Sequence, residues 1–238
     1  MRWDARGRLW VLCTWAYPQL KPGTKPNDKL LILEDTKGDG RADKISTYID
    51  GLNMPTGFAL GHGGAYIGNG RDLIHVRDTN GDGKADKQEV LFTGFGTGDT
   101  HQNINSFTWS PGGELFFSQG LHCFSRVQTP WGIRKLDEHG SWRLRPLRRQ
   151  LHAHRRTSGG GNPWGFAFGN WGEPFIKSNG TPVGELLPGM VASEHIIHAS
   201  LAIGGTKIKS MIIEIVDTPT LPKDFQGDFL IAGYYARN

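Results

Sequence analysis

The residues best suited to chemistry lie in two kinds of cluster. Ahead of an alternating strand, the string Gly98-Asp99-Thr100-His101-Gln102-Asn103-Ile104-Asn105 crowds His101, Gln102, Asn103 and Asn105 into one short loop. Polar side chains that dense beside a core strand must find partners or a ligand. A neutral imidazole, with an ordinary pKa of about 6.5, can take a proton from a hydroxyl at neutral pH. The same residues could instead hydrogen-bond a neighbouring sheet or shape turns. The second kind is acidic. Asp78, Asn80, Asp82, Gly83, Lys84, Asp86 and Glu89 satisfy a twelve-position calcium-loop pattern. That pattern places side-chain oxygens at positions 1, 3, 5 and 9, glycine at 6, a backbone carbonyl at 7 and a carboxylate at 12.

Calcium takes about six to eight hard oxygen ligands, so a loop of this composition is predicted to bind it. The flanks Ile74-His75-Val76-Arg77 and Val90-Leu91-Phe92-Thr93-Gly94-Phe95 read as strands, not as the helices of an EF-hand. An earlier copy keeps Asp35, Asp39, Gly40 and Asp43 but places Lys37 at position 3 and Ser46 at position 12. It is a weaker candidate, because Lys37 brings a cation to the ligand shell. For both loops the expected role is structural, and the plainer alternative is a tight Asp/Gly turn with solvated carboxylates.

Other candidates carry less. The arginines between Arg143 and Arg156 could hold an anion, but without interleaved aromatics a solvated outer strand is expected and nucleic-acid binding is not. His152 and His154 would share one strand face, and His195 lies near His198, yet neither pair has the third ligand a zinc site needs. Trp109, Trp164 and Trp171 could stack on a sugar, although packing between sheets is the expected role.

These loops must be positioned by strands. A turn followed by a short alternating strand recurs five times, at residues 5–15, 61–70, 110–120, 169–180 and 225–235. Counted from the turn glycines Gly7, Gly63, Gly112, Gly172 and Gly227, the copies fall roughly 50 to 60 residues apart, the period of a four-stranded propeller blade. No stretch holds helical periodicity for three turns without a Gly or Pro. The expected fold is therefore an all-β propeller of the six-bladed type, incomplete, with about five blades in one domain over residues 1–238. Eight Trp and twelve Phe provide the apolar bulk for such a core.

The net charge of +4 is concentrated in the arginine stretch and does not mark a generally basic protein. Two cysteines, Cys13 and Cys123, are too few for a disulfide framework. The sequence holds no apolar run of membrane-spanning length and no signal-peptide core near Met1. A targeting segment, where the protein is exported, is expected to lie outside this chain.

Several motifs resemble one known family across nearly the whole chain. They are the paired Asp-Thr-x-Gly-Asp-Gly-x-Ala-Asp-Lys loops, residues 51–60, 93–122 and 162–168, and the segment 221–238. The family is that of the large secreted bacterial membrane-bound dehydrogenases, whose N-terminal propeller is related to soluble quinoprotein glucose and sorbosone dehydrogenases. The resemblance implies that His101 is a general base acting on a sugar or other alcohol. It also implies that Asp99, Gln102, Asn103 and Asn162 line a site for pyrroloquinoline quinone (PQQ), beside structural calcium. It implies a periplasmic or extracellular location and a cytochrome c module elsewhere in the full-length protein. Three departures stand out. Thr100 separates Asp99 from His101 where the family has adjacent Asp and His. The family's Gly-Pro-Asp-Gly turn is Ser110-Pro111-Gly112-Gly113, and Gly161 replaces the arginine before Asn162-Pro163. The competing expectation is a non-catalytic propeller that binds carbohydrate or protein; a third is a calcium-dependent hydrolase of the lactonase type, against which the acidic clusters, placed in outer loops, argue.

Overall fold

Strict alternation of apolar residues fixes which face each strand buries. In Asp28–Glu34 (β3), Leu30 and Ile32 are buried while Lys29, Leu31 and Leu33 are not, the period-two pattern of a strand with one face in a core. The structure is a computed structural model that describes residues 1–155, 161–178, 183–186, 200–204 and 210–233. It divides into two units, 1–95 and 96–238, which are described separately.

The first unit holds two four-stranded antiparallel sheets, each in sequential order. One comprises Arg2–Trp3 (β1), Leu9–Cys13 (β2), β3 and Lys44–Leu52 (β4), with Trp10 opposite Ile32 and Leu9 opposite Leu33. The other comprises Pro55–Gly61 (β5), Gly64–Asn69 (β6), Asp72–Arg77 (β7) and Lys87–Thr93 (β8). Their facing sides share one core, built from Trp10, Leu30, Ile32 and Tyr48 against Phe58, Ile67, Ile74 and Val76. The Trp10 and Tyr48 rings meet edge-on at 4.6 Å.

In the second unit, Asn105–Trp109 (β9), Leu115–Gln119 (β10), Gly140–Arg145 (β13) and Gln150–Arg155 (β14) form a sheet in the order β14-β13-β10-β9. A hairpin of Phe124–Val127 (β11) and Arg134–Asp137 (β12) is inserted between its second and third strands. Pro163–Phe168 (β15), Pro174–Ser178 (β16), Val183–Leu186 (β17) and Ser200–Gly204 (β18) form another four-stranded sheet. Ser210–Ile215 (β19) pairs with Phe229–Gly233 (β20). Phe116 of β10 packs on Phe166 and Ile176, and Ala167 packs on Ile213, so successive sheets stack face to face.

Sequential four-stranded antiparallel sheets packed face to face are the blades of an all-β propeller. Each of the five repeats read from the sequence is the second strand of its own sheet: β2, β6, β10, β16 and β20. Three of the preceding turns are built alike. Gly7, Gly113 and Gly172 each donate to the carbonyl three residues back, with φ of +74°, +77° and +83°. Only glycine adopts that left-handed conformation without strain. The structure thus corrects the third turn glycine, which is Gly113 rather than Gly112. Trp171 is also corrected. It sits 94% exposed in the β15–β16 turn instead of packing between sheets.

Candidate functional site

The polar loop before β9 is held in a single 3-10 turn, Thr100–Gln102, closed by the Gln102 N–H donating to the Asp99 carbonyl at 2.9 Å. That turn brings Asp99 back onto His101: Oδ1 of Asp99 lies 2.9 Å from Nδ1 of His101. The extra residue, Thr100, therefore does not separate the pair that the resemblance requires. An imidazole whose Nδ1–H donates to a carboxylate keeps Nε2 as its basic nitrogen.

Behind this pair stands a chain of supports. Gln102 is buried; its Nε2 donates to Asp99 Oδ2 at 3.1 Å and its Oε1 accepts the His122 N–H at 2.9 Å. The Gln102 carbonyl accepts from the Gly120 N–H at 2.8 Å and from the Cys123 thiol at 3.0 Å. Gly120 approaches so closely that a Cβ on it would stand 2.5 Å from Gln102 Cβ. Burial pushes the Cys123 thiol pKa up. Asn103 is 1% exposed and its Oδ1 has no hydrogen-bond partner among the described residues, and Asn105 Nδ2 donates to the His101 carbonyl at 3.4 Å. Asn162 is half-buried just before β15. Of the expected site residues the structure brings together Asp99, His101 and Gln102, with Asn105 beneath; Gln102 faces the protein interior.

Sequence reasoning missed Gln119. It is fully buried at the end of β10, donates through Nε2 to the carbonyls of Cys123, Leu136 and Glu138, and accepts through Oε1 from Ser125 Oγ and Trp142 Nε1. It pins the β11–β12 hairpin to the blade. The available signal was a glutamine closing the core strand Leu-Phe-Phe-Ser-Gln, where an unpaired amide would be costly. Also missed was a buried polar row across the same blade, where Asn105, Ser118, Ser141 and His154 oppose one another strand by strand. Ser118 Oγ, Ser141 Oγ and both His154 ring nitrogens are buried without a hydrogen-bond partner among the described residues. Burial, helped by the Arg143 charge and by His152, lowers the His154 pKa to about 4. As expected, β14 is the outer strand of its sheet and Arg145, Arg148 and Arg149 are exposed, but Leu151, Ala153 and His154 of β14 are buried. Several arginines there are paired, Arg145 with Glu114 at 2.6 Å and Arg155 with Glu138 at 3.4 Å. Arg156, His195 and His198 lie outside the described residues.

The acidic loops join β3 to β4 and β7 to β8, between strands as read from the sequence. Their shared residues are engaged in the same way. Asp35 and Asp78 accept N–H bonds from Gly38 and Gly40 and from Gly81 and Gly83. Asp43 and Asp86 each accept both the N–H and the hydroxyl of Thr36 and Thr79. These amide bonds hold the Asp35, Asp43 and Asp86 carboxyls below the usual carboxylate range; for Asp35 the largest cause is the Gly40 N–H and for Asp43 and Asp86 the threonine N–H. Asp39 and Asp82 cap Arg41 and Lys84, and Asn80 caps Asp82. Lys37 sits 3.4 Å from Asp43, so the first loop carries its own cation. Glu89 lies on β8 opposite His75. Among the described residues no three His, Cys, Asp or Glu side chains converge as a metal-ligand group.

Residues 1–222 match the family described as a domain of unknown function, DUF7133. The chain belongs to this family. No curated protein matches the DUF7133 chain. Among solved structures it is similar to a protein described as a candidate gluconolactonase, with a TM-score of 0.50 and 17% identity. That likeness covers 79% of this chain and 60% of the other, so the DUF7133 chain spans about three fifths of that protein's length. It is similar also to a luciferin-regenerating enzyme, with a TM-score of 0.38 and 8% identity over 98% of this chain and 90% of that one. The first likeness bears on fold, and agrees with an all-β propeller. No helix among the described residues is long and apolar enough to cross a membrane.

Proposed function

We propose that this chain carries part of a propeller active site in which His101, oriented by Asp99, takes the proton of a hydroxyl group on a sugar or other alcohol. The observation behind it is the 2.9 Å contact between Asp99 Oδ1 and His101 Nδ1, braced by Gln102 on the other carboxylate oxygen. The contact orients the ring and fixes the tautomer that leaves Nε2 facing a hydroxyl proton. His101 is partly solvent-exposed, as a base that must meet a substrate has to be.

The quinoprotein reading adds an acceptor for the hydride that leaves with such a proton. PQQ is a tricarboxylate, and Asp99, Gln102, Asn103 and Asn162 bring hydrogen bonds but no cation, so these residues by themselves do not match its charge. A periplasmic or extracellular location and a cytochrome c module elsewhere belong to the same proposal. Calcium at residues 78–89 is a separate one. It requires the oxygens of Asp78, Asn80, Asp82, Asp86 and Glu89, with the Lys84 carbonyl, to turn toward a common point.

A second reading, a propeller that binds carbohydrate or protein without catalysis, draws support from the inward-facing Gln102 and Asn103, both under 6% exposed. One experiment separates the two: titration of the protein with PQQ, then dye reduction with a panel of aldoses and alcohols. Binding, with turnover lost in His101→Ala, establishes the dehydrogenase. A folded protein that neither binds the quinone nor reduces dye leaves the binding module.

A further inference from the structure

A second concave site lies in the first unit, in the loop between β2 and β3. There residues between Cys13 and Leu31 line an open cavity of about 820 Å³, within the range of small-ligand sites. Both ends of the loop are anchored. Asp28 is 1% exposed and accepts the N–H groups of Trp15 and Ala16 on one oxygen, at 2.6 and 3.0 Å, and that of Met54 on the other, at 3.0 Å. Thr14 Oγ1 donates to the Pro55 carbonyl at 2.6 Å. The backbone carrying Trp15 is thus fixed while its indole stands 92% exposed, with Tyr17 53% exposed two residues on.

The charge around the ring has one sign. Lys21, Lys25 and Lys29 line the cavity, and among the described residues no ion pair involves them. The one carboxylate in the lining, Asp28, is turned onto backbone amides. We infer that this cavity binds an anionic saccharide of the uronate class, with a sugar face on Trp15 and a carboxylate against Lys21 and Lys25. An electron-rich indole face attracts the polarised C–H groups of a sugar ring. Lysines act as separate point charges that suit single carboxylates spaced along a chain, whereas planar bidentate capture would call for arginine, which the described lining lacks. The site is independent of His101.

Calorimetric titration of the whole protein with trigalacturonate tests it, against neutral cellotriose and adenosine monophosphate. Trigalacturonate should bind. Trp15→Ala and the double variant Lys21→Ala/Lys25→Ala should each weaken binding by roughly tenfold or more, equivalent to about 1.4 kcal/mol. His101→Ala should leave it unchanged. Since the substituted side chains project from a loop, an unaltered melting temperature certifies each variant. The inference is overturned by the absence of trigalacturonate binding, by binding indifferent to both variants, or by cellotriose or the nucleotide binding as tightly.

Discussion

Acid should weaken this protein through His154 well before its carboxylates titrate. The ring is 3% exposed, with no hydrogen-bond partner among the described residues and the Arg143 guanidinium nearby, so its pKa falls to about 4 from 6.5. In the unfolded chain the imidazole protonates near its ordinary value. Between these two values the unfolded state binds the extra proton, and stability must fall as pH falls. The difference of about 2.5 units corresponds to roughly 3 kcal/mol at full effect, and about 2 kcal/mol of it should be lost by pH ~5. His152 and His75, whose pKa values burial also lowers, add losses of the same sign. The lowered carboxylates Asp4, Asp35, Asp43 and Asp86 act only below about pH 4, outside the window.

The assay is urea unfolding at a series of pH values from about 8 down to about 5, for the wild type and for His154→Gln, which is neutral at every pH. Glutamine costs the same at all pH values, so the difference between the two curves isolates the histidine proton. The wild type should lose up to about 1.4 kcal/mol more per pH unit below 6.5 than the variant. Parallel curves would refute the claim that His154 is buried as a neutral ring.

Other outcomes follow from the same geometry. Ser141→Ala, which removes a buried hydroxyl that has no hydrogen-bond partner among the described residues, should be neutral or stabilise by up to about 1 kcal/mol in urea unfolding. Gly120→Ala drives a Cβ into Gln102 and should destabilise by about 1–3 kcal/mol. Asp99→Asn should cut turnover of any substrate found by dye reduction by roughly 10²-fold or more, without unfolding the protein as judged by circular dichroism. Calcium bound at residues 78–89 should raise the melting temperature over that in EDTA, and Asp82→Ala should erase the difference; equal melting points for the wild type in both would end the calcium proposal.

Much of the architecture was legible because propeller blades repeat. The glycine turn and the strand after it are local features, and each copy proved to be a second strand. The β11–β12 hairpin was not legible, since it interrupts the period and is held by Gln119 through partners as far away in sequence as Glu138. The neutral burial of His154 was hidden for a similar reason. His152 and His154 could be placed on one face, but what covers that face is set by packing across sheets. In the candidate site, by contrast, Asp99 and His101 are two residues apart, so a single turn decides their contact.

The acidic loops show how one residue pattern can answer two demands. A calcium loop needs oxygens at alternating positions and a glycine at the sixth; a tight loop between strands needs carboxylates to cap its own N–H groups and glycine where φ turns positive. Asp35 and Asp78, Gly40 and Gly83, and Asp43 and Asp86 all satisfy the second demand in the structure, which accounts for their presence in both copies. The copies differ at the third and twelfth positions, where Lys37 and Ser46 stand against Asn80 and Glu89. Of these, Lys37 supplies a fixed positive charge to Asp43, while Asn80 and Glu89 leave the second loop with oxygens and no such charge. Self-capping alone predicts equal indifference to calcium in the two loops. A response confined to the second, and lost when Asn80 and Glu89 are replaced by Lys and Ser, would show that the ion, and not the turn, selected those two residues.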